Sequence, residues 1–277
     1  MTDVASTGST DDDTATTAPM PPTPPSGHGL LEGKIVVVTA AAGTGIGFAT
    51  AKRCIEEGAT VVVSDAHERR LGETADQLAE LAGGNRPLAL RCDVTDEAQV
   101  QHLYDATVEA HGRFDVAVNN AGLGGQADIV EMTDEQWSKV LDITLTGTFR
   151  CMRAALGHLY ALGSGVIVNN ASVLGWRAQA GQAHYAAAKA GVMALTRCSA
   201  VEAAPYNVRV NAVSPSLAHH PFLNKVMSDE ELDELSRKEL LGRAAETWEV
   251  ANVIVFLASQ YATFMTGEVV SVSSQHP

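Results

Sequence analysis

The amino-acid sequence predicts a doubly wound α/β fold, a single domain on a mainly parallel sheet of seven strands, and three observations carry that prediction. From Lys34 onward, apolar β-rich runs alternate with stretches of helical periodicity, the rhythm of repeated βαβ units. Several runs are apolar throughout instead of alternating with polar residues, as strands must be when helices cover both faces of a parallel sheet. The first run passes through a glycine-rich turn directly into the first helical stretch.

In order, strands are expected over 35–40, 60–65, 87–92, 115–119, 165–169, 208–213 and 269–272. The blocks Val36-Val37-Val38 and Val61-Val62-Val63 show the β-branched content that suits a pleated surface. Helices are expected near 46–58, 67–82, 97–112, 134–161, 182–204 and 247–259, where apolar residues recur with helical spacing. No internal repeat or linker interrupts the pattern. In such a sheet the ligand crevice lies at the carboxyl ends of the strands.

The chain has 277 residues, enough for one large α/β domain and too few for two. Its apolar content is 45% with 19% charged residues, and no apolar run approaches the roughly 20 residues of a membrane span, so it reads as soluble. The net charge is −14, and Asp3, Asp11, Asp12 and Asp13 account for part of it. That balance argues against nucleic acid or an anionic membrane as partner and leaves a small molecule. Cys54, Cys92, Cys151 and Cys198 are widely spaced, with no CxxC pair and no histidines at zinc-ligand spacing. The expectation is a reduced cytoplasmic protein with no metal. Residues 1–29 are rich in Ser, Thr, Asp and Pro and lack the basic start and apolar run of a signal peptide. They read as a disordered extension, leaving 30–277 as one catalytic domain.

The turn Thr39-Ala40-Ala41-Ala42-Gly43-Thr44-Gly45-Ile46-Gly47 has the context a dinucleotide pyrophosphate requires: close backbone approach and a helix N-terminus aimed at the anion. A tight strand-to-helix turn with no ligand has the same appearance. Eighteen residues past Gly47 the second strand ends in Asp65, whose carboxylate can accept from adenosine ribose hydroxyls and would repel a 2′-phosphate. Asp65 alone can equally be a helix N-cap. Tyr185 and Lys189 stand four apart on one helix face, with Ser172 thirteen residues upstream at a strand end. Carbonyl reduction or alcohol oxidation needs a proton moved as the hydride moves, and a free phenol, with a pKa of about 10, does this poorly at neutral pH. Lys189, together with the positive ring of an oxidised nicotinamide, would stabilise the phenolate, and Ser172 would hold the substrate oxygen.

These residues, with Cys92-Asp93-Val94, Asn119-Asn120-Ala121-Gly122, Val208-Arg209-Val210-Asn211-Ala212-Val213-Ser214-Pro215 and Thr266-Gly267, fall in the order of the short-chain dehydrogenase/reductase family, which the chain resembles from Leu31 to Val272. The resemblance implies a Rossmann-type fold, nicotinamide-dependent redox activity and a homotetramer. It implies cofactor contacts from Ala41, Thr44, Gly45, Ile46 and Gly47 in the turn, from Asp65, from Asp93 and Val94 at the adenine, and from Asn120, Ala121 and Gly122. Tyr185 and Lys189 would touch the nicotinamide ribose, and Pro215 would flank the nicotinamide. Substrate-facing candidates by position are Leu174, Trp176, Arg177, Gln182 and His184, followed by the stretch 219–241 with Phe222, Leu223 and Val226.

The departures from the family pattern are informative. Counted back from Gly47, Ala41 stands where Thr-Gly-xxx-Gly-x-Gly has its first glycine. Thr144 replaces a catalytic Asn that bends its helix and, through a water, links the lysine to solvent; its hydroxyl or carbonyl is expected to serve an altered relay. Ser216 and His220 replace a Gly and a Thr. The glycine turn and the ending Val270-Ser271-Val272-Ser273-Ser274 resemble an actinobacterial branch linked to steroid C/D-ring breakdown, which acts on hydroxylated indanone acyl-CoA esters. The expected function is therefore NAD-dependent interconversion of a secondary alcohol and a ketone. A 3-oxoacyl-carrier-protein reductase and a cofactor-binding regulator with impaired catalysis are the alternatives.

Overall fold

The computed structural model describes residues 20–219 and 228–274. Its strands are β1 (Ile35–Val38), β2 (Thr60–Asp65), β3 (Leu88–Arg91), β4 (Val116–Asn119), β5 (Gly165–Asn170), β6 (Val208–Pro215), the short β7 (Ala218–His219) and β8 (Ala245–Glu246), and β9 (Val269–Val272). Seven of them form one sheet in the order β3-β2-β1-β4-β5-β6-β9, with every neighbouring pair parallel. The helices are α1 (Ile46–Glu56), α2 (Glu68–Leu81), α3 (Glu97–His111), α4 (Asp134–Leu141), α5 (Gly147–Leu162), α6 (Ala183–Ala203), α7 (Asp229–Lys238) and α8 (Thr247–Ala258). The strand order reverses between β1 and β4, which opens the crevice above their carboxyl ends.

The apolar strands serve two cores. Val36 and Val38 of β1 pack with Ala51, Val61, Val63, Ile254 and Leu257 on the α1/α8 side. Val37 points the other way, into a cluster with Val62, Leu103, Tyr104, Met152, Leu159 and Ile167. Because successive side chains leave a strand on opposite faces, a sheet covered on both sides admits no polar alternation.

Three differences from the sequence expectations have physical causes. β1 stops at Val38, because Ala40 takes a left-handed conformation at φ 50°. The single helix expected over 134–161 is broken by a π-helical turn at Asp142–Thr146, where the Gly147 N–H reaches back five residues to the Asp142 carbonyl. A side chain at Gly147 would stand 2.7 Å from Val94 Cγ2, so the close packing there requires glycine. Helix α7 and the parallel pair β7–β8 were not expected. A capping box, Ser228 with Glu231, starts α7, and that Ser-x-x-Glu spacing was the available signal.

Residues 25–30, mostly assigned by composition to the extension, meet the end of α1. The Arg53 guanidinium donates to the carbonyls of Pro25 at 2.6 Å and Ser26 at 3.2 Å. Glu57 accepts from the backbone N–H groups of His28 and Leu30 and from Arg53 at 2.5 Å.

Candidate active site

Helix α6 sets Tyr185 and Lys189 one turn apart, with the lysine Nζ 5.5 Å from the centre of the phenol ring. Ser172 follows the end of β5 in an extended conformation, and its Oγ accepts the Leu174 N–H at 3.2 Å to start a short 3-10 turn. That anchoring directs the serine at α6, where its hydroxyl is hydrogen-bonded to the Tyr185 phenol. Lys189 is 3% exposed and donates to the Asn170 carbonyl at 2.5 Å. Sequence spacing and three-dimensional arrangement therefore agree for all three groups.

Burial dominates the electrostatics of this pair. Burial pushes the Tyr185 phenol up to about 12, opposed by the Ser172 hydrogen bond. Burial alone brings the Lys189 ammonium down to about 7. Desolvation disfavours whichever form carries charge, so Lys189 cannot by itself make the phenol acidic here.

The glycine turn after β1 could hold an anion. Gly45 caps α1 without any side-chain hydrogen bond, leaving the first helical amides free, and Thr44 is exposed beside it. A Cβ on Gly47 would lie 2.3 Å from the Ala40 carbonyl oxygen and 2.6 Å from Asn120 Nδ2. Ala41, expected to replace the first glycine of the pattern, is instead buried with its N–H on the Ser64 carbonyl at 3.0 Å. The left-handed position falls at Ala40, directly after Thr39, so the turn holds one residue more than the pattern and the glycine role has moved by one. Ile46 opens α1 and packs on the core. Asp65 closes β2 with Oδ2 on the Ala42 N–H at 3.2 Å and Oδ1 on the His67 N–H at 2.9 Å, which puts its carboxylate beside the turn. These residues fit a dinucleotide: a glycine cradle and open amides after β1 lie beside a carboxylate at the end of β2 that could accept ribose hydroxyls.

The flanking candidates divide. Asn120 and Ala121 both donate backbone N–H groups to Thr39 Oγ1, tying β4 to the turn. A Cβ on Gly122 would lie 3.4 Å from Lys189 Nζ and 3.8 Å from Thr144 Oγ1, so the lysine and the threonine both border the space that glycine leaves open. Asp93 Oδ1 is used within its own turn by the N–H and hydroxyl of Thr95, and Val94 is buried against Gly147. Pro215 ends β6 against Val272.

Thr144 does not address Lys189. Its hydroxyl donates to the Leu123 carbonyl at 3.1 Å and accepts the Leu123 N–H at 2.9 Å, clamping the loop after β4. Its own carbonyl accepts from Thr148 Oγ1 at 2.8 Å. The Thr144 side chain thus holds the loop after β4 at Leu123.

On the substrate side, Leu174 is half-buried, Trp176 is 46% exposed and Arg177 half-buried, all beyond Ser172. Gln182 is buried, and its amide donates to Gln126 Oε1 at 3.0 Å. His184 is also buried; its Nδ1 accepts the Tyr185 N–H at 2.9 Å, and its far nitrogen would stand 2.9 Å from a Cβ on Gly125. Both support the loop 122–127 from behind. Gln126 was missed, because nothing local marks an exposed glutamine as a partner of a residue 56 positions away. Arg237 donates to the Asp233 carbonyl and Lys238 to Glu234, both on the exposed face of α7. His220, Phe222, Leu223, Lys225 and Val226 lie outside the described residues. Among the described residues no group of three or more His, Cys, Asp and Glu is placed to hold a metal, and no helix is long and apolar enough to cross a membrane.

A glycine turn after β1 and a serine-tyrosine-lysine cluster formed by the end of β5 and α6, both at the carboxyl ends of one parallel sheet, are the features of an α/β oxidoreductase of the nicotinamide-dependent class. The comparisons agree, and the chain belongs to the short-chain dehydrogenase/reductase family, whose members use NAD(P). A family model described as enoyl-(acyl carrier protein) reductase matches residues 40–274. The chain is 64% identical over 91% of its length, and 96% of the relative's, to "(5R,7aS)-5-hydroxy-7a-methyl-1-oxo-2,3,5,6,7,7a-hexahydro-1H-indene-carboxyl-CoA reductase" of Mycobacterium tuberculosis. It is 42% identical to cis-4-hydroxycyclohexanecarboxylate dehydrogenase of Sinomonas cyclohexanicum, over 86% of this chain and 94% of that one. Among solved structures, a short chain dehydrogenase from Mycobacterium smegmatis superimposes with a TM-score of 0.82 at 60% identity, covering 92% of this chain and 98% of that one.

Proposed function

We propose that this chain interconverts a secondary alcohol and a ketone by hydride transfer with NAD, on a cyclic hydroxyacyl-CoA ester of steroid-ring origin, as a cytoplasmic homotetramer. The observation that carries the reading is the 64% identity to a hydroxy-oxo-indene-carboxyl-CoA reductase, on a chain that keeps Ser172 hydrogen-bonded to Tyr185 and the Lys189 ammonium 5.5 Å from the phenol ring centre. Bound NAD(H) supplies the hydride acceptor or donor and, when oxidised, a positive ring charge. Ser172 holds the substrate oxygen, Tyr185 moves the proton at that oxygen, and Lys189 supports the phenolate. Asp65 at the end of β2 favours NAD, because its carboxylate accepts ribose hydroxyls and repels a 2′-phosphate.

A 3-oxoacyl-carrier-protein reductase reading draws on 38% identity to the FabG reductase of Thermotoga maritima. It is the weaker of the two by sequence identity and by the position of Asp65. The CoA phosphates need cations on an acidic protein, and Arg177, Lys225, Arg237 and Lys238 are the candidates by position. The test compares a cyclic hydroxyacyl-CoA, its free acid and a plain steroid alcohol with NAD and the isolated protein. A kcat/KM advantage of the CoA ester that shrinks with added salt is expected. Equal kcat/KM for ester and free acid would overturn the CoA-ester assignment.

A further inference from the structure

On the α1/α8 face of β5, Val166 and Val168 are core residues, and by the period of two the next position on that face is Asn170. An aliphatic residue would continue the core; an amide stands there instead. Its backbone carbonyl takes the Lys189 ammonium at 2.5 Å. Its side-chain Nδ2 donates to Asn120 Oδ1 at 2.9 Å. Asn120 in turn donates from Nδ2 to the carbonyls of Ala40 at 3.0 Å and Thr39 at 3.3 Å.

These contacts determine the orientation of both amides. Two carbonyls face the Asn120 nitrogen, so its oxygen must face Asn170, and Asn170 must present its own nitrogen there. Asn170 Oδ1 is thereby left buried with no hydrogen-bond partner. A buried acceptor without a donor is a local cost, and Asn170 bears it at a position where an aliphatic side chain would bear none. The neighbouring Asn169 shows the contrast: on the opposite face it accepts from Asn119 and donates to Thr196, with both ends of the amide used.

We infer that Asn170 is a positioning residue coupling the catalytic lysine to the dinucleotide turn. Its carbonyl sets the Lys189 ammonium, and its amide, through Asn120, sets the left-handed Ala40 bend against which Gly47 packs. Dinucleotide binding at the turn and the protonation of Lys189 are then linked through one residue. The inference rests on the reading of the chain as a nicotinamide-dependent oxidoreductase, and it holds for either nucleotide. Groups flanking Lys189 are Tyr185 on its own helix and, at Gly122, the uncharged Thr144; burial, without a neighbouring charge, governs its titration.

The test measures binding of NADH, or of NADPH if the wild type prefers it, by fluorescence for Asn170→Leu, Asn120→Ala and the double variant. It also measures thermal melting and the pH profile of kcat for alcohol oxidation. Asn170→Leu is expected to weaken binding by about five- to tenfold, within the range of intersite coupling. The double variant is expected to bind no worse than Asn120→Ala alone, because both act along one route. With the carbonyl hold loosened, the ammonium is less favoured, the phenolate loses support, and the rising limb should move up by roughly half to one pH unit. Asn170→Ser carries the same expectations should Asn170→Leu fail to fold. Wild-type binding and an unmoved limb in the Asn170 variants, or additive losses in the double variant, would overturn the coupling alone. A wild-type protein that binds neither nucleotide would overturn the functional reading and the coupling with it.

Discussion

Two helices of this molecule each contribute a pair of ionisable groups at the same four-residue spacing, the buried Arg53 with Glu57 at the end of α1 and the half-buried Tyr185 with the buried Lys189 on α6. In the first pair the charges cancel. Both Glu57 oxygens are filled, one by Arg53 and the other by two backbone N–H groups. Burial raises the Glu57 pKa, but the Leu30 and His28 amides and the Arg53 guanidinium outweigh it, so the carboxyl sits below its ordinary value. In the second pair nothing cancels. Lys189 has a carbonyl for company, and burial brings it down to about 7 while pushing Tyr185 up to about 12. Compensated burial anchors residues 25–30; uncompensated burial at the crevice leaves groups ready to exchange a proton.

The two pairs leave opposite signatures in pH. A lowered carboxyl gives stability that is present above its unfolded pKa and lost as pH falls through the folded value, so Glu57 acts in acid. A lowered lysine is a penalty. Between about 7 and its ordinary 10.5 the unfolded chain holds the proton and the folded chain does not, so stability rises with pH across that window.

The largest effect expected on this contrast is catalytic. Tyr185→Phe removes only the proton donor, so kcat should fall about 10²–10⁴-fold while NADH binding stays within a few-fold of wild type. Retention of more than roughly a tenth of wild-type kcat would assign the proton to another group.

Next comes stability at the other pair. Glu57→Gln leaves Arg53 with only the partly exposed Glu56, at 3.3 Å, as counter-charge and should cost about 2–3 kcal/mol, a fall in Tm of several degrees for a domain of this size. Activity per folded molecule should hardly change. An unaltered melting curve would show that residues 25–30 are not anchored by this pair.

A smaller effect is expected at the cofactor edge. Asp65→Ala removes both a ribose acceptor and a repelling charge, so the preference for NAD over NADP should shrink by roughly tenfold, read as a ratio of kcat/KM values. A preference that survives intact would place the selection elsewhere.

The smallest belongs to the loop clamp. Thr144→Val strips Leu123 of both partners and should lower Tm by a few degrees and kcat by a few-fold, about 1–3 kcal/mol for the unmade bonds. Thr144→Asn, which offers both a donor and an acceptor, should restore them. Equal values in all three proteins would remove the side chain from the account.

The sequence was most readable where chemistry demands particular residues at fixed local spacing. The glycines at 45 and 47, Asp65, and the Tyr185–Lys189 spacing needed no tertiary information. It was least readable where a role is created by a distant partner. The shift of the glycine role from Ala41 to Ala40 is invisible to pattern counting, because one extra residue leaves Gly45 and Gly47 in place. The π turn at Asp142–Thr146 has helical periodicity on both sides, so 134–161 reads as one helix. Asn170 reads as the polar end of a strand, and only the Asn120 contact and the orphaned oxygen set it apart. Gln182 has the position of a pocket wall, yet its side chain serves Gln126.

The contrast rests on Lys189 being buried without compensation, and its own titration tests this most directly. In cofactor-free protein with ¹³C-labelled lysine, the NMR resonance lost in Lys189→Met identifies the side chain and can be followed with pH. A midpoint at about 7 is the result predicted. A midpoint near the ordinary 10.5 would mean that the ammonium is compensated after all, and that the two pairs do not differ in kind.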